Sequence, residues 1–421
     1  MNAPFSEEAI IAHNHTALAE LKRAITLRPN QFSLVLARCN YARLQNILVK
    51  HLQATTPVVA VALLPQTRNL RHAIVLGLPA QPGPALMITG FEVVQELEAL
   101  FKGANLGRDE FSKTLSFPLV AWVNDRSLAL LNRHAPDFKS FAAAPIRFDY
   151  PSEELVRSLH QKANDLFNIM LSLGDDSPYP AHTLRYQPGS TLRTELEFAL
   201  VDLAQTHQLL DTELEASLNF LQGRDALNQS NLDLARYYFD QSLTYWQTQA
   251  GEPAPGSLSL TPPTPTPRQK QAILLFYLGV TWRSWATVQR VVYRQLLEKA
   301  QACFAACLAI FREDDQLDWV GKFLHPLAEV KQKLEDWDSL EEIARQGLAL
   351  HCSDAVRLAR DYGYLAEVAL ARGDIQAAQA AAEKALNILD IAEAVEVRQE
   401  DPNYDGFTVA DRYQRGWYLF C

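Results

Sequence analysis

Residues 362–389 read YGYLAEVALARGDIQAAQAAAEKALNIL, two apolar-periodic runs joined by Gly373-Asp374. Leu365 and Ala366 mark the stripe of the first run, while Ala378, Ala382 and Ala385 recur at three- and four-residue spacing in the second. That spacing puts each set on one face of a helix, and small residues on facing stripes let two antiparallel helices cross closely. One unit upstream, LAEVKQKLEDWDSLEEIARQGLAL places Leu327, Ala328, Trp337, Leu340, Ala344 and Gly347 in the same register. Ala366 stands 38 residues after Ala328, and Ala378 stands 38 after Leu340. Earlier, FLQGRDALNQSNLDLARYYFDQSLTYW offers Gly223, Ala226, Leu232, Ala235, Phe239 and Ser242, with Asn231 in the turn. LLFYLGVTW and LEKAQACFAACLAIF offer Leu278, Gly279, Ala300, Phe304 and Cys307. The separation of 21 residues between Gly279 and Ala300, against 12 between Gly223 and Ala235, predicts lengthened helices in that unit.

Over residues 212–390 this pattern resembles the tetratricopeptide repeat, with Gly223, Ala235, Gly279, Ala300, Ala328, Ala366, Ala378 and Ala385 as packing positions. The resemblance implies an all-α superhelix whose groove takes a protein or peptide partner, its residues serving packing rather than chemistry. QAGEPAPGSLSLTPPTPTPR (249–268) is too rich in Pro for a helix pair and is expected to be a disordered insertion. Residues 391–421 hold the start of a further repeat or a capping helix, with Phe407, Tyr413, Trp417, Tyr418, Leu419 and Phe420 on it. Three covers for its apolar side stay open: the preceding pair, a second copy through self-association, or further repeats of a longer protein.

The first 150 residues have another texture. FSLVLA (32–37), VVAVALL (58–64), ALMIT (85–89), PLVAWV (118–123) and PIRFDY (145–150) are short β-rich runs, mostly apolar throughout, separated by amphipathic helical segments. Continuous apolar strands are those covered on both faces, so a three-layer α/β domain with a mostly parallel sheet is expected. Residues 151–211 read as a helical linker region, with LRTELEFALVDLAQTHQLLDTELEASLNFLQ as one long helix.

In order and flavour these strands resemble the nucleotide-binding domains of the AAA+ and STAND proteins, with ALMITGFE (85–92) at the Walker B place and PLVAWVND (118–125) at the sensor strand. The departure lies after the first strand, where Arg38, Cys39, Asn40, Tyr41, Ala42, Arg43 and Leu44 contain no glycine and no Lys-Ser or Lys-Thr pair. A phosphate loop needs glycines for its backbone wrap, a lysine for the outer phosphates and a hydroxyl for Mg²⁺. Without them the domain is a degenerate relative with no catalytic residue and no cofactor. Four positions keep a double reading. Arg38 stands in for the missing lysine or is a structural cation. Glu92 is a relic carboxylate or a first-turn residue favoured by the helix dipole. Asn124 and Asp125 sit where open sheets bind ligands, and they also suit an N-cap.

The net charge of −10, without a basic run, disfavours nucleic acid as a partner. The amino terminus lacks the basic and unbroken apolar regions of a signal peptide, and no stretch is long and apolar enough to span a membrane, so a cytoplasmic protein is expected. Five scattered cysteines fit reduced thiols; Cys303 and Cys307 share a helix face but no second ligand pair completes a metal site. No Ser-His-Asp arrangement is visible in the sequence, and His13 and His15 read as exposed helix residues. The expectation is a non-enzymatic scaffold or adaptor; the competing one is a STAND-type signalling ATPase whose nucleotide state switches the repeats.

Overall fold

The computed structural model of the chain describes residues 6–27, 31–78, 85–175, 186–206, 209–249 and 264–396. The chain divides into two compact units, Met1–Leu159 with Arg185–Leu209, and His160–Leu184 with Leu210–Cys421. The carboxy-terminal stretch with Phe407 and Trp417, and most of the Pro-rich segment, lie outside the described residues.

Five parallel strands organise the first unit: β1 (Ser33–Cys39), β2 (Val58–Ala62), β3 (Ala85–Thr89), β4 (Pro118–Val123) and β5 (Ile146–Phe148), in the order β2-β3-β4-β1-β5. The central β4 is buried along its whole length, whereas the edge strands β2 and β5 are buried only in part. That is why its six residues are uninterruptedly apolar. Before β1 come α1 (Glu7–His13) and α2 (His15–Thr26), and between strands run α3 (Ala42–Thr55), α4 (Leu70–Gly77), α5 (Leu97–Leu106), α6 (Arg108–Thr114), α7 (Asp125–His134) and α8 (Pro136–Lys139). The chain moves from β1 across to the far edge at β2, then steps back, so right-handed crossovers put α3 on one face and α4 to α8 on the other. Phe91 stacks on Phe101 at 5.6 Å, and Phe111 packs on Phe138 at 4.7 Å within the core of the second of these faces.

Two helices follow, α9 (Ser152–Leu173) and α10 (Thr191–Gln205). The expected linker over 151–211 does not stand apart. Its start and α10 belong to the first unit, and the greater part of α9 belongs to the second. The reason is local chemistry: Asp202 on α10 accepts from Tyr41 at 2.6 Å and from Arg147 at 3.0 Å, while Phe167 on α9 stacks on Phe220 at 4.5 Å. The long helix expected across 192–222 is also broken. Asp211 caps a new helix by accepting from the Leu214 N–H at 2.8 Å.

The second unit contains α11 (Thr212–Asn228), α12 (Leu232–Gln249), α13 (Pro267–Val288), α14 (Tyr293–Glu313), α15 (Leu317–Lys322), α16 (His325–Lys333), α17 (Trp337–Leu350), α18 (Ala355–Ala371) and α19 (Ile375–Glu396). Gln249 still belongs to α12, and Thr266 and Pro267 already cap and start α13, so the Pro-rich segment is framed by helix at both ends. Pro suits a first helical position because its missing N–H would have no partner there. The pairs α11/α12, α16/α17 and α18/α19 share one turn: Ser230, Glu335 and Gly373 are left-handed, with φ of 59°, 59° and 78°. The next residue then caps the second helix, Asn231 accepting from Leu234, Asp336 from Ser339 and Asp374 from Ala377. Glu335 precedes Gly373 by 38 residues, so the sequence offset is an offset between identical turns.

Inside the pairs, Gly223, Ala235, Gly279, Ala300, Ala328, Ala366, Ala378 and Ala385 are all buried. A Cβ on Gly223 or Gly279 would lie 2.5 Å from the ring of Phe239 or Phe304 respectively, so each glycine is the hole for an aromatic of the partner helix. Replacing Gly279 with Ala should cost roughly 1–3 kcal/mol by overpacking, more than the helix propensity it gains. At Gly103, where an added Cβ meets nothing within 4 Å, the same change should stabilise by about 0.5–1 kcal/mol. Chemical denaturation of the two variants should therefore give opposite signs.

Lys270 is a cation inside this core. Its Nζ lies 3.9 Å from the Trp246 ring centroid and 5.4 Å from that of Phe167, with Glu213 at 3.5 Å. Burial pushes its amine down to about 8. The unfolded chain, with a lysine near 10.4, then binds more protons than the folded one between these values, so stability rises with pH in that window. Against Lys270→Met, the parent should gain up to about 3 kcal/mol between pH ~7.5 and ~10 in urea titrations.

Candidate functional site

Open parallel sheets bind ligands beyond the carboxyl ends of their strands, where neighbouring strands send the chain in opposite directions. In the first unit this place lies between β1, which continues toward β2, and β4, which continues toward β5. A cavity of about 590 Å³ opens there, lined among others by Asn40, Gln45, Glu92, Asn124, Ser127 and Glu195.

The residues after β1 and β4 are bound to one another. Arg38 Nη2 donates to Asp125 Oδ2 at 2.5 Å and its Nε to Oδ1. Asn40 donates from Nδ2 to the same carboxylate at 3.0 Å and accepts from the Asp125 N–H at 3.0 Å. The bond to Asp125 raises the Arg38 guanidinium's pKa. Burial would raise the Asp125 carboxyl, but Arg38 and Asn40 outweigh it and hold it below the usual range. Asn124 caps α7: its Oδ1 accepts from the Ser127 N–H at 2.8 Å, and the Ser127 hydroxyl accepts from the Asn124 N–H at 2.9 Å. Arg38 and Asp125 thus clamp the ends of β1 and β4 together, outside the lining of the cavity, and Asn124 makes a reciprocal capping box.

Glu92 stands in a single 3-10 turn, Phe91–Val93, rather than in a longer helix. Gly90 before it is left-handed at φ 87°, and a Cβ there would meet the Leu63 carbonyl oxygen at 2.9 Å. Burial raises the Glu92 carboxyl, and the charge of Glu195 adds to the effect. Cys39 is pushed up to about 12 by burial, which leaves it no thiolate for chemistry at neutral pH.

Glu195 supplies what the local sequence cannot. The N-cap of α3 is Tyr41, with no side-chain cap of its own, and Glu195 Oε1 accepts from the Ala42 N–H at 2.8 Å. A helix N-terminus after the first strand is where a phosphate would bind. Here a carboxylate of the chain itself engages it. Sequence reasoning missed Asn40 and Glu195, whose partners lie 85 and 153 residues away. Among the described residues the crevice holds no three His, Cys, Asp or Glu ligand atoms close enough to share an ion. In the second unit His325, His351 and Asp361, all buried and also missed, bring such atoms within 4.8 Å of one another. Their one sequence signal is a carboxylate, Asp361, set among the buried positions of α18.

Fold and site define an α/β domain with a polar cavity beyond β1 and β4, and helix pairs in the other unit. No family model matches the chain, and no curated protein matches it. Among solved structures it is similar to the crystal structure of BtubC (BKLC) from P. vanneervenii, at 17% identity and a TM-score of 0.39, over 62% of this chain and 97% of that one. No described helix is long and apolar enough to cross a membrane.

The crevice chemistry predicts that the chain shows no magnesium-dependent binding of ATP at micromolar concentration. Isothermal calorimetry is the measurement, and a saturable heat with Mg²⁺-ATP would contradict it.

Proposed function

We propose that the chain is a non-enzymatic binding protein, a scaffold or adaptor whose helix pairs hold a protein or peptide, with the α/β unit as a regulatory or interaction module that does not turn over nucleotide. The observation that carries this reading is a polar strip on the first helices of successive pairs. Arg283 of α13 donates to Glu329 of α16, Glu329 accepts from Lys333 at 2.5 Å, and Gln332 of α16 donates to Glu367 of α18. Burial would raise the Glu329 carboxyl, but Arg283 and Lys333 outweigh it and hold it below the usual carboxylate range. Half-buried donors and acceptors in a row suit the main chain of an extended segment, which needs partners for its own N–H and C=O groups. The nucleotide-switch reading is disfavoured by the Glu195 carboxylate on α3 and by the Arg38–Asp125 clamp.

A pull-down with the full chain as bait, repeated with Gln332→Ala and Glu367→Ala together, tests the assignment. Partners should be retained by the parent and lost, by about tenfold or more in affinity, from a variant of unchanged melting temperature. A coupling of this size corresponds to about 1.4 kcal/mol, within reach of two polar contacts. Equal retention by both baits would move the binding site elsewhere.

A further inference from the structure

The buried cluster in the second unit has a proton count that its geometry dictates. His351 Nε2 lies 2.9 Å from the Gly321 carbonyl oxygen. A carbonyl only accepts, so Nε2 carries a hydrogen and Nδ1 of a neutral ring would carry a lone pair. That Nδ1 is 2.6 Å from Asp361 Oδ2. A lone pair and a carboxylate oxygen repel at this distance, and a proton must lie between them. On the other side, His325 Nε2 lies 3.0 Å from Asp361 Oδ1, and a carboxylate oxygen accepts, so this Nε2 carries a hydrogen, while Nδ1 has Arg360 Nη1 3.1 Å away. Asp361 thus receives a hydrogen bond on each oxygen. His325 presents N–H to the centre rather than a lone pair, which makes the cluster a poor cradle for a metal ion.

The three residues come from three elements. His325 begins α16, His351 follows α17, and Asp361 lies in α18. Asp361 reaches in because Gly347 of α17 has no side chain: a Cβ there would lie 2.5 Å from the Asp361 Cγ. We infer that His351 and Asp361 share a proton that locks the junction of α16, α17 and α18, so that the last two helix pairs loosen when the pH rises and this proton leaves. Without it the carboxylate is left buried against a lone pair, a contact that only separation relieves.

The surrounding charges favour retaining protons. Asp175 Oδ2 stands 3.5 Å from His325 Nδ1, Arg357 donates to Asp175 Oδ1 at 3.2 Å, and Asp354 lies 3.7 Å from Arg357. Glu329 faces Arg360 from α16. For His325, burial opposes the charged ring, but Asp175 and Asp361 outweigh burial and the repulsion from Arg360, and the direction is upward. A proton that the folded junction needs and the unfolded chain gives up near the ordinary histidine value of about 6.5 stabilises fully below that pH, and the stabilisation is lost as the pH rises.

Asp361→Asn separates the proton from the packing. The new amide accepts from His325 and donates to His351 with no proton to lose, at nearly the same volume. As the pH rises above about 6.5 the parent's melting temperature should fall relative to this variant, by up to roughly 3–5 °C per pH unit for one proton. Hydrogen exchange of the full parent chain over the same range is an independent readout that needs no variant to fold. Protection of α17 and α18 should drop beyond the chemical rate's own rise, while α11 to α14 should not. Parallel melting curves, or uniform loss of protection, would overturn the inference. So would a stoichiometric metal in the purified protein whose chelation lowers the melting temperature, because a cation would then occupy the proton's place.

Discussion

A charge taken out of water must find its partner inside the protein, and both units of this chain are organised around that requirement. Removing one member of such a pair leaves a buried ion with nothing to replace its hydration, which costs several kcal/mol. Asp125 meets it with Arg38 and Asn40, Asp202 with Tyr41 and Arg147, and Asp361 with two histidines. Each pairing joins residues of different elements, so each also fixes where helices sit. Asp202 makes α10 part of the first unit, and Asp361 draws three helices to one point.

The same requirement shapes the crevice. A sheet of this order leaves an opening beyond β1 and β4, and the helix after β1 offers N–H groups to an anion. In this chain Tyr41 provides no cap, and Glu195 provides the anion. The clamp and the internal carboxylate turn a place suited to a phosphate into a polar cavity rimmed by Glu92 and Glu195. Burial keeps the Cys39 thiol in its lining protonated.

Much of this was legible before any coordinates. Strands β1 to β4 lie where the continuous apolar runs stand, because a strand covered on both faces has no position for a polar side chain. The small residues from Gly223 to Ala385 are buried at helix crossings, because close approach allows no larger side chain. Gly373-Asp374 marked a turn whose geometry recurs at Glu335-Asp336, where no glycine announces it. Asn124 could be read two ways from its position, and its two hydrogen bonds with Ser127 make it a cap.

What the sequence by itself determined, then, is everything governed by local periodicity: the strands, the helix pairs, the absence of a phosphate loop, and the holes that Gly223 and Gly279 leave for Phe239 and Phe304. Only the tertiary structure decided the partners of buried charges. Arg38 did not announce Asp125, nor did Ala42 announce Glu195 or His351 announce Asp361, since a hydrogen bond between residues of different elements follows no helix or strand period. It also decided how residues 151–211 divide between the units, because a helix joins whichever core satisfies its polar groups, and that core exists only once the chain has folded.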